Sequence, residues 1–281
     1  MITKLLNISI KKTQEPPEAR PSIFFMARAA ELAYSPLQVI NENLPKGWNV
    51  EFFEGASTQA IALYKANTLI ISFRGTEFCI SDFMVDIDFR KINMSGIGKI
   101  HAGFWKALGE VLPKIFTFIE TRLDQKPKTE IYLVGHSLGG ALAVLLAAHL
   151  NACKIGFEQV VTLGQPRVFG RNTAKYQQNQ WGHKLLRIVN YTDPIPWFPF
   201  LLQGYAHMGA VLFFDQYSRL HLKISITKRW ILLLMDLVTQ FAFAMYPKLK
   251  MAKFIIQSFQ RHKIASYLEI LKNYKGKFPK I

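Results

Sequence analysis

The stretch TEIYLVGHSLGGALAVLLAAHL, residues 129–150, sets Ser137 between Gly135 and Gly139 as G-x-S-x-G. A serine acts as a nucleophile when a base can take its proton and when hydrogen-bond donors await the oxyanion formed by its attack. The apolar run before Ser137 reads as a strand, and the Ala- and Leu-rich run after it as a helix. Glycines on either side permit a strained strand-to-helix turn that lifts the hydroxyl above the sheet edge. The helix aims its positive end at that hydroxyl, and the backbone N–H of Leu138 becomes one oxyanion donor. A small residue in a Gly-rich loop is the plainer reading. The strand before Ser137 and the helix after it weigh against that.

A serine on such a turn takes its partners in the chain order serine, acid, histidine. Four carboxylates lie between Ser137 and the last histidine: Glu158, Asp193, Asp215 and Asp236. Glu158 begins a strand and so falls at the wrong end of a sheet. Asp236, with Thr239 and Gln240, makes a polar stripe within an apolar helical run. Asp193, in RIVNYTDPIP, follows a strand's carboxyl end beside Pro194 and Pro196, and that position favours it over Asp215. His207, His221 and His262 all follow Asp193, and position alone does not choose among them.

The elements that must hold these residues are visible as apolar runs. QAIALYK and TLIISFR read as strands, and FWKALGEVLPKIFTFIETRL reads as a continuous helical stretch. Further strands are expected at TEIYLVG, QVVTLG and KLLRIVN, with a polar helix near NTAKYQQNQ. Strands alternating with helices, several strands being unbroken Val/Ile/Leu runs, predict an α/β fold with a mostly parallel central sheet covered on both faces. The 281 residues are expected to form one domain from Ile23 to the end, preceded by a loose polar arm over residues 1–22.

Net charge is +16, and the excess is concentrated late: residues 216–281 hold thirteen Lys and Arg against Asp236 and Glu269. Such a field attracts anionic lipid surfaces or nucleic acid, and no nucleic-acid-binding motif is present, which leaves peripheral contact with an anionic membrane as the expectation. The bland alternative is a solvated basic face. Cys79 and Cys153 permit one disulfide and show no metal-ligand spacing, so no metal or other cofactor is expected. The first twelve residues carry no clear leader, and a cytoplasmic or peripheral-membrane location is expected over classical secretion. Residues 230–246, WILLLMDLVTQFAFAMY, rise about 25 Å as a helix, short of the ~30 Å hydrocarbon core. A core helix is expected there, an interfacial one being the alternative.

Six segments in order, ISFRGTEFCISDFMVDIDF, HAGFWKAL, GHSLGG, TLGQPRVFG, RIVNYTDPIPWFP and GYAHMGAVLFF, resemble the fungal-type class 3 lipase family, a branch of the α/β-hydrolases. The likeness runs from about Ile23 to Leu271. It implies a serine lipase or esterase that cleaves carboxylic esters of acylglycerols or related lipids through an acyl-enzyme. Ser137 would be the nucleophile, Asp193 the acid and His262, in RHKIASYLEIL, the base, with His207 as the alternative. Thr76 of the RGT segment would join Leu138 in the oxyanion hole, and Asp86 would orient Thr76. The family also places a lid between this segment and HAGF. Ile80, Phe83, Met84 and Ile87 there share helical spacing, as an amphipathic lid would, and a fixed core-packing helix is the alternative. Phe169 departs from the family, where glycine is usual, and the disulfides of secreted relatives are not matched. An acyltransferase using the same acyl-enzyme, or an inactive lipid-surface binding module, are the competing readings.

Overall fold

The computed structural model describes residues 20–75, 89–215, 217–221, 259–274 and 278. The helices are α1 (Ile23–Leu32), α2 (Leu37–Asn43), α3 (Ala102–Gly109), α4 (Leu112–Gln125), α5 (Leu138–Ala152), α6 (Arg171–Trp181) and α7 (Ile264–Asn273). The strands are β1 (Asn49–Glu54), β2 (Gln59–Lys65), β3 (Thr68–Phe73), β4 (Lys91–Met94), β5 (Gly98–His101), β6 (Glu130–His136), β7 (Gln159–Leu163), β8 (Phe169–Gly170), β9 (Leu185–Asn190), β10 (Tyr205–Ala206), β11 (Ala210–Phe214) and β12 (Leu220–His221).

Eight strands form the main sheet in the order β1-β2-β3-β6-β7-β9-β11-β12. Its middle, from β3 to β11, is parallel, and the strands flanking that middle pair antiparallel. The central strands are apolar at successive positions because both faces are covered. Alternate residues of β6 divide between two cores: Ile131 and Leu133 meet α3, α4 and α5 on one side, and Tyr132 and Val134 meet α1 and α7 on the other. Helix α5 is buried nearly all round, as expected for a helix apolar on every side. Truncating its fully buried Leu145 to alanine would cost about 2–5 kcal/mol, the range for emptying a packed site.

The helical stretch expected over residues 104–123 is two helices. Helix α3 ends at Gly109, and α4 begins at Leu112 with Pro113 in its first turn, where a missing N–H costs nothing. A second, small sheet in the order β10-β8-β5-β4 lies outside anything the sequence pattern announces. Phe169 belongs to it, pairing with Ile100 and Ala206 and filling core space at 1 % exposure.

Strand register fixes where the loops meet. Phe73 pairs with Gly135, His136 with Leu163 and Leu163 with Ile188, so β3, β6, β7 and β9 end together. Their carboxyl ends therefore gather Gly75, Ser137, Gly164 and Asp193 at one edge, where parallel sheets build their sites. The expected lid at residues 77–100 lies outside the described residues as far as Asp88. The rest of it is the loop at Phe89 and Arg90 followed by β4 and β5. The apolar run at 230–246 is wholly outside the described residues. Among the described residues no helix is long and apolar enough to cross a membrane.

Candidate active site

Ser137 joins β6 to α5 at φ +58°, ψ −127°. A side-chain-bearing residue held there stores on the order of 1–3 kcal/mol, which only tight surroundings maintain. Those surroundings are glycine. A Cβ on Gly135 would lie 2.2 Å from the Gly139 carbonyl, and one on Gly139 would lie 2.2 Å from the Phe73 carbonyl oxygen. The turn closes because strand and helix backbones touch where no side chain intervenes. The Ser137 amide donates to Leu163 O at 2.9 Å, tying the turn to β7. Leu138 is the first residue of α5, so its N–H has no acceptor within the helix.

Beyond β9, Asp193 and His262 are both buried, at 0 % and 1 % exposure. His262 Nδ1 stands 2.9 and 2.8 Å from the two carboxylate oxygens of Asp193. The carboxylate also accepts from Ile195 N at 2.9 Å and from the Tyr267 hydroxyl, while the Trp197 indole donates to the Asp193 carbonyl at 3.0 Å. With Asp193 on Nδ1, the proton sits on that nitrogen and Nε2 is left as an acceptor. Nε2 is buried and forms no hydrogen bond among the described residues. In resting sites of this kind the bond to the nucleophile is often loose and tightens once substrate binds. Gly164, at φ +59°, forms the floor: a Cβ there would stand 2.6 Å from Asp193 Oδ2 and 2.9 Å from the His262 ring.

His136, beside Ser137, turns its side chain to the other side of the turn and makes two bonds. Its Nδ1 lies 2.8 Å from the Tyr34 hydroxyl, and its Nε2 lies 2.6 Å from the His262 carbonyl. A carbonyl only accepts, so Nε2 carries the proton and Nδ1 receives the tyrosine hydrogen. Burial, and then the neighbouring His262, hold this imidazole well below the ordinary histidine range. It is a neutral bracket joining α1, the serine turn and the His262 backbone.

The model for the family Lipase (class 3) matches residues 70–203, which include Ser137 and Asp193. The chain is similar to the class 3 lipases over this segment, just under half of its length. The chain is 24% identical over 258 residues to triacylglycerol lipase OBL1 of Ricinus communis, which covers 66% of this chain and 48% of that protein. It is 32% identical over 148 residues to a lipase of Rhizomucor miehei, covering 50% of this chain and 40% of that one. It thus spans about half the length, or less, of these relatives. The solved triacylglyceride lipase of Rhizomucor miehei shares its α/β-hydrolase fold at a TM-score of 0.61 and 23% identity, covering 70% of this chain and 80% of that chain.

Within the structure the sequence candidates fall in different places. Ser137, Leu138, Asp193 and His262 gather at the sheet edge. Thr76 and Asp86 lie outside the described residues. Gly75, directly before Thr76, sits against the serine turn, and a Cβ on it would be 3.3 Å from Ser137 Cβ. His207 is not beside Asp193: its Nε2 donates to Pro196 O at 2.6 Å, and burial, then Arg187 and Arg167, keep the ring neutral. It props the loop that carries Asp193. Asp215 is engaged by His221 at 3.0 Å and by Arg219 at 3.1 Å. Partial burial would raise its carboxyl, but these bonds and the amides of Arg219 and Tyr217 outweigh it and hold the group low.

Three supports were missed in the sequence. His136 and Tyr267 lie in named motifs and Tyr34 in none, and the partners of all three come from remote elements. Tyr267 is fully buried; burial and then Asp193 push its hydroxyl well above the ordinary tyrosine range, so it stays a donor. It also accepts the Asn190 amide at 3.2 Å. The spacing of Tyr267 one helical turn and a half beyond His262 was the available signal.

Proposed function

We propose that this chain is a class 3 lipase, a serine hydrolase cleaving carboxylic ester bonds of acylglycerols or related lipids. The observation that carries the reading is the shared edge: a serine on a strained turn, with a buried Asp193–His262 pair seated over Gly164 beside it. His262 Nε2 takes the Ser137 proton as Oγ bonds to the ester carbonyl carbon. Asp193 holds the imidazole by Nδ1 and offsets the positive charge it gains. The Leu138 amide receives the oxyanion, and Thr76 is the second donor; each such donor is worth about 2.7–4 kcal/mol in the transition state. His262 then protonates the leaving alcohol as the carbon–oxygen bond breaks. In the second half a water loses its proton to His262, attacks the acyl carbon and frees the fatty acid with Ser137 restored.

The names of its relatives, triacylglycerol lipases among them, support an acylglycerol or similar lipid as substrate. Peripheral contact with a lipid–water interface follows from such a substrate. A fluorophosphonate probe on the folded chain tests the nucleophile, and release of fatty acid from mono-, di- and triacylglycerols tests the activity. Labelling of the wild type but not of Ser137→Ala is expected. A folded chain that the probe leaves untouched would overturn the enzyme reading, and product formed only when an added alcohol accepts the acyl group would make it a transferase.

A further inference from the structure

The loop that follows Asp193 presents apolar side chains outward while its backbone is tied down from three directions. Beneath it, the Arg167 guanidinium donates to the carbonyls of Trp197 and of Pro199, the latter at 2.8 Å. On one flank Arg171 donates to Leu201 O at 2.7 Å, and on the other Lys91 donates to Gln203 O at 2.5 Å. With its carbonyls satisfied by cations, the short helical turn Leu201–Gln203 leaves Leu202 72% exposed, and Phe200 and Leu201 are partly exposed beside it. Lys99 completes the rim. Its Cβ and the Lys91 side chain both lie within 3.6 Å of a Cβ built on Gly170, next to Arg171.

The segments that build this face hold almost no negative charge. Between Phe89 and Gly109 there is no carboxylate, and between Glu158 and Asp215 there is one, the buried Asp193. Lys91, Lys99 and Arg171 are exposed, and Lys175 stands one turn further along α6. An apolar tip inside a collar of cations, with no opposing acids in these segments, is complementary to a surface that is apolar within and anionic at its rim. That is the chemistry of a lipid layer with anionic head groups.

We infer that the turn at residues 200–203, with Lys91, Lys99 and Arg171, is a docking face for an anionic lipid surface. Leu202 and Phe200 enter the head-group boundary while the cations meet lipid phosphates. The Trp197 indole bond to the Asp193 carbonyl ties this face to the candidate site, so seating it turns the sheet's carboxyl edge toward the lipid. The inference deepens the proposed action on lipid esters. It concerns a surface other than the basic C-terminal run, most of which lies outside the described residues.

The test uses the full chain and vesicles of phosphatidylcholine, alone or mixed with phosphatidylserine, at physiological salt. Cosedimentation should favour the mixed vesicles. Leu202→Ser with Lys99→Gln removes the tip and one cation without breaking any of the hydrogen bonds that hold the loop. It should weaken binding by about tenfold or more, from the Leu burial lost and roughly fivefold per cation. Adding Arg171→Gln should weaken it further. Turnover of a monomeric p-nitrophenyl ester should be unchanged in the double variant, and its absence in the wild type would count against the hydrolase reading alone, because vesicle binding can be read in Ser137→Ala. Equal binding by wild type and both variants, equal binding to neutral vesicles, or tighter binding to an RNA duplex than to mixed vesicles would overturn the docking face.

Discussion

His136 makes a pH prediction that can be worked through. An unfolded histidine titrates near pH 6.5. In the folded chain burial, followed by the neighbouring His262, keeps His136 neutral well below that value, at 5 % exposure with both ring nitrogens engaged. Below about pH 6.5 the unfolded state therefore binds a proton that the folded state refuses, and stability falls as pH falls. While the folded imidazole stays neutral, each pH unit below that point removes up to about 1.4 kcal/mol from this group alone. Other titrations add to the total, so the measurement is a difference. Urea midpoints of the wild type and of His136→Gln are compared at about pH 7 and about pH 5. The glutamine form is the less stable at pH 7, having lost a buried hydrogen bond worth about 1–3 kcal/mol. It should lose less on acidification, so the gap between the two proteins narrows below about pH 6.5 by up to about 1 kcal/mol per pH unit. Parallel stability curves for the two proteins across this range would refute the neutral bracket.

Two further outcomes follow from the same edge. Gly164→Ala puts a methyl group 2.6 Å from Asp193 Oδ2 and 2.9 Å from the His262 ring, so ester turnover should fall on the order of 100-fold, the cost of displacing a reacting group by about an ångström. Steady-state kcat on a soluble ester checks it, with circular dichroism to show that the variant is folded. Asp215→Asn should leave kcat within about twofold, because that carboxylate serves the turn before β12 through His221 and Arg219; a loss comparable to that of Gly164→Ala would return Asp215 to the site.

Much of this was legible in residue order. The runs at 59–65 and 68–73 are strands as written, because a doubly covered strand needs unbroken apolar sequence. The small sheet was invisible for a physical reason: strands such as Phe169–Gly170 and Tyr205–Ala206 are two residues long and exist only through each other. The break between Gly109 and Leu112 was overrun because apolar spacing continues across it. At the site, glycines around Ser137 and the strand end before Asp193 carried local signals. The choice among His207, His221 and His262 carried none, since it depends on which segment docks against α1. Only the family resemblance named His262. Two of the three histidines are each held by a neighbouring loop group, His207 by a carbonyl and His221 by Asp215, which no spacing rule reports.

The bracket from Tyr34 through His136 to the His262 carbonyl also has a temporal meaning. The serine turn is assembled from β6 and α5, adjacent in the chain, and can be shaped by local contacts. Its proton acceptor arrives only when α7 lies on α1, two helices from opposite ends of the described chain. Contacts of that separation form against the largest loop-closure entropy and so come late in folding. On the proposed reaction, the chain carries Ser137 through most of folding without its base, and ester cleavage would signal that the two helices have met.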